Sequence, residues 1–426
     1  MKYLGIAMAL ALAAGAEAKD VVIHAGKLID AVSSAPQSEM SIIIHDDRIT
    51  GVEKGYVTKP GAEVIDLTHD TVLPGLIDSH VHITSQNEGG NPIANRFTHT
   101  DYDAAYRSVG YAANTLMAGF TTVRDVGAQT HVVVAMKRAI KEGRIKGPRM
   151  YVAGKALGPT GGHSDPLNGM DPTLDHPHWD EATIDGPEDA AKTVRRMHRD
   201  GVDLIKIMPS GGVLSIGDDP AVTTMTDAEI SAVITTAHNL GMKVAAHAHG
   251  KDAILRAARL GVDSVEHGSY GDAECYKAMK EHGTYLVPTL LVAQTAVEIA
   301  KAHPETLNPS SAEKALQVGP MVIQNAGAAY KAGVKIAFGT DQGLNPHGNN
   351  AKEFALMVKA GITPWDAIMA ATKGSADLLG AAKDIGSIQA GRYADIIAVA
   401  GDPLTDVTTL EHVGFVMKGG AVEKAM

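Results

Sequence analysis

The segment Val72–His82 reads VLPGLIDSHVH, and the predicted architecture is built outward from it. It is an apolar run that ends in His80-Val81-His82. Residues two apart in a β-strand point to the same face, so both imidazoles are expected to project together while Val81 packs on the opposite side. Two neighbouring imidazoles at the end of a buried strand indicate half of a metal site. Taken alone, a His-x-His pair is equally compatible with a polar strand end in a solvated loop.

On the C-terminal side of this segment, short apolar runs alternate with helical segments. The apolar runs predict eight strands, at Leu76–His82, Thr121–Asp125, Arg149–Ala153, Asp203–Met208, Lys243–His247, Ser264–His267, Tyr285–Val287 and Lys335–Gly339. The intervening segments predict helices at Tyr102–Met117, His131–Glu142, Pro187–Arg199, Asp227–Leu240, Lys251–Arg259, Ala273–Glu281 and Ala312–Ala332. Several helices end in a C-cap glycine just before the next strand, at Gly119, Gly201, Gly241, Gly261, Gly283 and Gly333. Eight such units predict an α/β fold with a closed (β/α)8 TIM barrel, whose functional residues lie at the C-terminal ends of the strands.

The two ends of the chain have a different, β-rich pattern. Residues 19–73 contain short β-runs bounded by turn residues, and residues 384–426 have the same character. Neither end alone has enough strands to bury a sheet face. We therefore expect one small β-sandwich built from both chain ends, residues 19–73 and 384–426, beside a barrel over residues 74–383.

The first 18 residues have the pattern of a secretory signal peptide. Lys2 provides a short positive region, Tyr3–Ala14 an apolar core, and Ala16-Glu17-Ala18 a small-x-small cleavage signal. The apolar core is too short for a membrane span. We expect cleavage after Ala18 and a periplasmic or secreted protein with no membrane segment after removal of residues 1–18.

Composition excludes several other classes of protein. The 426 residues contain 38 Lys and Arg against 49 Asp and Glu, a formal charge of −11, and no basic cluster suggests nucleic-acid binding. The single cysteine, Cys275, rules out an intrachain disulfide and a cysteine-based zinc site. No serine nucleophile elbow, phosphate-binding loop or dinucleotide fingerprint is evident.

More metal-type residues occur at the ends of later predicted strands. His247 ends the fifth strand and His267 the sixth, and Asp341 follows the eighth in the segment KIAFGTDQG. A lone histidine is more often structural, and Asp341 could be a helix N-cap. Their shared position at strand ends, together with His80 and His82, favours a metal centre in which Asp341 is a ligand and also transfers protons.

Lys206 lies inside the apolar fourth strand, between Ile205 and Ile207. It could be a structural lysine paired with an acid. A lysine desolvated beside metals can also stay neutral and add carbon dioxide, which gives an anionic carbamate able to bridge two cations. Two bridged divalent cations with a hydroxide between them form a hydrolytic centre.

Two further histidines lie in loops after predicted strands. His249 is two residues beyond His247, and His163 lies in the glycine-rich segment LGPTGGHSD after the third strand. Each is interpreted either as a substrate contact or as an ordinary loop histidine.

These features resemble the amidohydrolase superfamily. The resemblance rests on PGLIDSHVH at Pro74–His82, on Lys206, His247 and His267, and on GTD at Gly339–Asp341. The segments FTTVRDVG, IKIMPSGGV, AHAHG, SVEHGS and YLVPTL are similar to those of the imidazolonepropionase-like branch. That branch includes Xaa-Pro dipeptidase-like and carboxypeptidase-like enzymes and hydrolases of N-acyl amino acids such as ochratoxin A.

The resemblance implies a role for each matching residue. His80, His82 and Asp341 would hold one metal ion, His247 and His267 the other, and carboxylated Lys206 would bridge them. The two divalent ions would be zinc, as is usual in the family. Asp341 would take a proton from the bridging hydroxide and deliver it to the leaving amine. His249 would polarise the carbonyl or hold the substrate carboxylate, and His163 would contact the substrate.

The function implied is hydrolysis of the amide bond to a C-terminal amino acid in dipeptides or N-acyl amino acids, including ochratoxin A-like amides. One alternative is a cyclic-amide hydrolase on the same barrel. A second is a non-catalytic metal-binding assembly protein. The resemblance also implies a homo-oligomer that acts on a small molecule.

Overall fold

The structure is a computed structural model that describes residues 20–89, 95, 97–171, 173 and 179–425. The predicted signal peptide, residues 1–18, lies outside the described residues. The strands are β1 (Asp20–Leu28), β2 (Gln37–His45), β3 (Arg48–Lys54), β4 (Glu63–Pro74), β5 (Leu76–Val81), β6 (Phe120–Asp125), β7 (Arg149–Val152), β8 (Leu204–Ile207), β9 (Lys243–Ala248), β10 (Ser264–His267), β11 (Tyr285–Val287), β12 (Lys335–Ile336), β13 (Ile396–Ala400), β14 (Val413–Lys418) and β15 (Ala421–Lys424). The α-helices run over Asp101–Met117, Thr130–Lys141, Pro187–Asp200, Asp227–Asn239, Lys251–Arg259, Ala273–His282, Leu290–Ala302, Pro309–Lys331, Lys352–Lys359, Pro364–Met369 and Ser375–Leu378.

Strands from both ends of the chain form one seven-stranded sheet, in the order β15-β14-β13-β4-β1-β2-β3. β4 is parallel to β1 on one edge and antiparallel to β13 on the other, where Leu73 pairs with Ile397. These are the strands predicted for the β-sandwich, here joined by hydrogen bonds into one sheet. The start of β3 also bonds to the segment before β13, since Ile49 N–H donates to Arg392 O at 2.9 Å and Ala394 N–H donates to Asp47 O at 2.8 Å, so the sheet curves back on itself.

All eight strands predicted for the central region are present, each within a few residues of its expected bounds. They form two parallel sheets, β5-β6-β7 and β12-β11-β10-β9-β8. Backbone hydrogen bonds link the sheets on both sides. Asp203 N–H donates to Val152 O at 2.8 Å between β7 and β8, and Ser79 N–H donates to Phe338 O at 2.8 Å between β5 and the segment after β12. All strand pairs within these two sheets are parallel, so their C-terminal ends lie on one side.

The helices also follow the predicted pattern, with four additions, two of which are the short helices Pro364–Met369 and Ser375–Leu378. The glycines expected after the helices all have φ between 73° and 98°, a backbone conformation in which residues with a Cβ are disfavoured. Helices Leu290–Ala302 and Lys352–Lys359 were not predicted. Among the described residues, no helix combines the length and apolar character needed to cross a bilayer.

Candidate metal centre

The C-terminal strand ends surround a cavity of about 170 Å³. Eight residues singled out in the sequence line it: His80, His82, His163, Lys206, His247, His249, His267 and Asp341. Parallel strands bring residues from distant parts of the chain to the same edge, which explains why these side chains meet. Within this set, two groups of three have ligand atoms close enough to share a metal ion.

The first group consists of His80, His82 and Asp341, whose ligand atoms lie within 4.8 Å of one another. Asp341 Oδ1 is 3.1 Å from His82 Nε2 and 3.5 Å from His80 Nε2. Although burial opposes ionisation, the neighbouring histidines hold the pKa of Asp341 well below its usual range. The carboxylate therefore stays anionic and faces two imidazole nitrogens.

Each histidine of the first group is oriented by its other ring nitrogen. His80 Nδ1 donates to Glu266 Oε2 at 2.7 Å, and His82 Nδ1 donates to Gly127 O at 2.7 Å. These bonds fix the tautomer that leaves Nε2 with a free lone pair. Burial lowers the pKa of His80 to about 4, so this ring is neutral, as metal ligation requires.

Glu266 is completely buried and makes an ion pair that sequence reasoning missed. Arg124 Nη2 donates to Glu266 Oε1 at 2.8 Å and to Oε2 at 3.0 Å, and Arg124 Nε donates to Ser79 O. Despite burial, Arg124 and His80 hold the pKa of Glu266 below its usual range. The available signal was a charge inside each of two apolar strands, FTTVRD and SVEH.

Asp78 is a second buried carboxyl that sequence reasoning missed. Its Oδ2 accepts from Thr340 Oγ1 at 2.6 Å and from Asn350 Nδ2 at 2.7 Å. Burial raises the pKa of Asp78 to about 6. These bonds hold the residue next to Asp341, whose φ of 56° is unusual for a non-glycine residue. Asp78 therefore supports a strained backbone at a ligand position.

The second group consists of His247, His249 and His267, all buried. His247 Nε2 donates to Gly211 O at 3.1 Å, His249 Nδ1 hydrogen-bonds with Ser269 Oγ at 2.6 Å, and His267 Nδ1 hydrogen-bonds with Thr289 Oγ1 at 2.7 Å. Burial lowers the pKa of His249 to about 3 and the pKa values of His247 and His267 well below their usual range. The structure thus places His249, predicted to contact the substrate, beside two predicted metal ligands.

Lys206 lines the same cavity and is 1% exposed. Burial lowers the pKa of its amine to about 8, against the opposing pull of Glu266 and Asp341. A neutral amine is accessible near neutral pH under these conditions, which is what carbamate formation requires.

The donors fit divalent cations. Four imidazoles and one ionised carboxylate converge on one cavity, and hydrogen bonds leave one ring nitrogen of each imidazole free to ligate. Imidazole and carboxylate donors suit Zn²⁺ and related first-row ions.

His163 comes from the loop after β7 and stacks on His247, with ring centroids 4.3 Å apart and an interplanar angle of 19°. Its Nδ1 is 2.7 Å from Ser215 Oγ, on the loop after β8. His163 therefore connects two loops directly beside the second group.

The remainder of the cavity is apolar. Its walls come from the loop after β8 and from helices Leu290–Ala302 and Pro309–Lys331, and the side chains are Met208, Val213, Leu214, Val292, Ala293, Ala296, Ala315, Val318 and Val322, with Gly319. An apolar group on a substrate would be buried here while its polar part faces the histidines.

Comparison with known proteins agrees with this arrangement. The model of the Amidohydrolase family matches residues 71–424. Ochratoxinase of Aspergillus niger is 31% identical over 97% of this chain and 89% of its own length. A solved Xaa-Pro dipeptidase with bound methionine in the active site has a TM-score of 0.91 at 40% identity, covering 95% of this chain and 99% of that chain. A prolidase complexed with N-methylphosphonate-L-proline has a TM-score of 0.88 at 32% identity, covering 96% and 100% respectively.

Proposed function

The chain belongs to the amidohydrolase family, and from that premise we propose that it hydrolyses the amide bond to a C-terminal amino acid in dipeptides or N-acyl amino acids. The main observation behind the proposal is the composition of the cavity. Two groups of candidate metal ligands lie at one end of it, and apolar side chains form the walls at the other end. Relatives named ochratoxinase and Xaa-Pro dipeptidase support hydrolysis of an amide bond. Ochratoxin A-like amides belong to the proposed substrate class.

The apolar walls narrow that class to amides with an apolar group next to the scissile bond. In the two solved relatives, the bound molecules named are methionine and a proline phosphonate. Methionine has a long apolar side chain, and proline a short apolar ring. We therefore place an apolar amino acid first among the leaving groups to be tested.

We propose two divalent cations, zinc in each case, with Lys206 as N6-carboxylysine between them. The proposed ligands are His80, His82 and Asp341 for one ion, and His247 and His267 for the other. Such ions polarise a carbonyl and make a nearby water a better nucleophile at neutral pH. In this proposal the eight parallel strands form the closed barrel of the family, the protein is exported, and it assembles as a homo-oligomer.

The side chains of this chain supply the proton transfers and the orientation. Asp341 accepts the proton of the attacking water and returns it to the leaving amine. His249, whose Nδ1 is held by Ser269, presents Nε2 to the substrate carbonyl or carboxylate. His163 lines the same cavity and is available for the other end of the substrate.

The first test is release of the C-terminal amino acid by the mature protein from a panel of dipeptides and N-acyl amino acids, with and without chelator. Chelator-sensitive release that is fastest for apolar amino acids is the expected result. If no panel member is cleaved although about two metal ions are bound per chain, the reaction class is wrong and cyclic amides become the next substrates. Absence of both cleavage and metal would favour the binding-protein alternative.

The carbamate has its own test in Lys206→Ala. We expect this variant to lose activity, and short carboxylates to restore part of it, because they can occupy the position of the missing anion. A fully active variant with normal metal content would remove the carbamate from the proposal.

A further inference from the structure

The apolar end of the cavity is closed by part of the loop after β8. Val213 and Leu214 of this loop line the cavity, and Leu214 is 43% exposed on its other side. A side chain half in solvent contributes little to holding the loop closed. Val213 also packs against apolar core residues, so Leu214 is the residue that most needs a further interaction to stay against the cavity.

That interaction is made by Lys314, on helix Pro309–Lys331. Its Nζ donates to Gly212 O at 2.7 Å and to Ser215 O at 2.7 Å, the carbonyls on either side of Val213 and Leu214. Nζ also donates to Asp218 O at 3.1 Å and lies 3.3 Å from Asp218 Oδ1. The ammonium group of Lys314 therefore bonds to the loop on both sides of Val213 and Leu214, the two residues of the loop that line the cavity.

Asp218 completes the contact from within the loop. Its Oδ1 accepts from Ser215 Oγ at 2.5 Å, and its Oδ2 accepts from Gly212 N–H at 2.8 Å. The side chains of Asp218 and Lys314 are only 2% and 14% exposed. Hydrogen bonds between charged groups in such a setting are stronger than those at a solvated surface. We call Lys314, Asp218, Gly212 and Ser215 the clasp.

The clasp also joins the loop to the rest of the cavity wall. Ala315, the residue after Lys314, lines the cavity together with Val318 and Val322 of the same helix. On the opposite side, Ser215 Oγ contacts His163 Nδ1 at 2.7 Å. One interaction therefore links the helix to the loop that carries Val213 and Leu214.

We propose that Lys314 is a specificity-determining positioning residue, which holds Val213 and Leu214 as the roof over the apolar group of the substrate. The inference rests on the proposed amide hydrolysis. Without the clasp, Val213 and Leu214 would be in place over the substrate in only a fraction of molecules. The apparent affinity for apolar substrates would then be reduced to that fraction of its original value. The chemical step should change much less than substrate affinity, because none of the predicted metal ligands belongs to the clasp.

The test compares Lys314→Met with Lys331→Met, which removes an exposed lysine of the same helix. For an N-acyl amino acid with a large apolar side chain, we expect Lys314→Met to raise KM at least about tenfold and to leave kcat within about twofold. KM for the corresponding alanine substrate should change less, so the preference for large apolar groups should decline. Asp218→Asn should act in the same direction, and Lys331→Met should leave both KM values unchanged.

A second measurement does not depend on turnover. Hydrogen–deuterium exchange of the backbone amides of residues 211–219 in the substrate-free protein should be faster in Lys314→Met than in the parent and in Lys331→Met. Unchanged exchange, unchanged KM, or a fall in kcat with loss of bound metal would overturn the role assigned to Lys314. If the parent protein cleaves no amide, the proposed function fails, and the exchange comparison alone then decides whether the clasp holds the loop.

Discussion

The two ligand groups consist of similar side chains but are held in different ways. The first contains a carboxylate, Asp341, and one of its imidazoles bonds to the buried carboxylate of Glu266. The second contains three imidazoles, and their partners are the hydroxyls of Ser269 and Thr289 and a backbone carbonyl. The first group therefore brings its own negative charge to a cation, while the second depends on an anion from elsewhere, such as a Lys206 carbamate. We expect the first group to bind its metal ion more tightly.

The largest expected effect is that of Asp341→Asn, which removes the only carboxylate of the two groups. The amide can occupy the same space but cannot accept the proton, so we expect kcat to fall on the order of a thousandfold. The measurement is steady-state kinetics on the best substrate, with metal content determined in parallel. Near-normal turnover would show that Asp341 does not transfer protons.

Glu266→Gln tests the charged support of the first group. A glutamine can still accept the His80 Nδ1–H bond but removes the negative charge, so affinity for the tighter metal ion should fall about 10- to 100-fold. It also leaves Arg124 buried without its counter-ion, which should lower the free energy of unfolding by about 3 kcal/mol.

The matched control is Asp395→Asn, which removes a buried acid that faces Arg149 away from the cavity. Asp395→Asn should lower the free energy of unfolding but leave metal affinity unchanged. If Glu266→Gln binds metal as tightly as the parent protein does, the negative charge of Glu266 does not contribute to metal binding by the first group.

Ser269→Ala tests the neutral support of the second group. Loss of the hydroxyl frees the His249 ring to rotate, so KM should rise about tenfold while the affinity for both metal ions is unaffected. Ser108→Ala is the control, since Ser108 is buried but donates to Ala105 O within its own helix. Lowered affinity for the weaker metal ion would instead identify His249 as a metal ligand rather than a substrate contact.

The smallest effect concerns the pH dependence of the metal-free protein. Burial lowers the pKa of His249 to about 3, while an unfolded histidine has its ordinary value of about 6.5. Between these values the unfolded state binds the extra proton, so stability is lost as pH falls from 6.5.

His249→Asn should reduce the slope of unfolding free energy between pH 5 and 6 by about 1.2 kcal/mol per pH unit. Denaturant unfolding at several pH values measures it. The control is His45→Asn, because an exposed hydrogen bond to Asp20 raises the pKa of His45, and its contribution has the opposite sign. An unchanged slope in His249→Asn would mean that this ring titrates normally.

The strands and the convergence of the candidate ligands at the C-terminal strand ends were predictable because their signals are local. The apolar runs, the glycines after helices and the histidines at strand ends each occupy a few neighbouring residues. The single seven-stranded sheet was not predictable, because nothing near Leu73 indicates that Ile397 is its partner. Local pattern identifies strands, but the choice between one sheet and two depends on pairing across the chain.

The supporting residues were missed for the same reason. His80 and Glu266 are 186 residues apart in the sequence, and their hydrogen bond has no sequence signal beyond a charge in an apolar strand. Helix Leu290–Ala302 was missed because both of its sides are apolar. Leu290 and Leu291 pack in the core, while Val292 and Ala293 line the cavity, which leaves little amphipathic contrast.

The position of β4 between strands from both chain ends has a consequence for biosynthesis. One edge of β4 has no partner until β13 has been made, and β13 begins at Ile396 in a chain of 426 residues. The sheet is therefore completed only after residue 396 has been made, through contacts of very large sequence separation, which are slow to form. Until then the nascent chain exposes an unpaired strand edge, which is a site at which other chains can pair and aggregate.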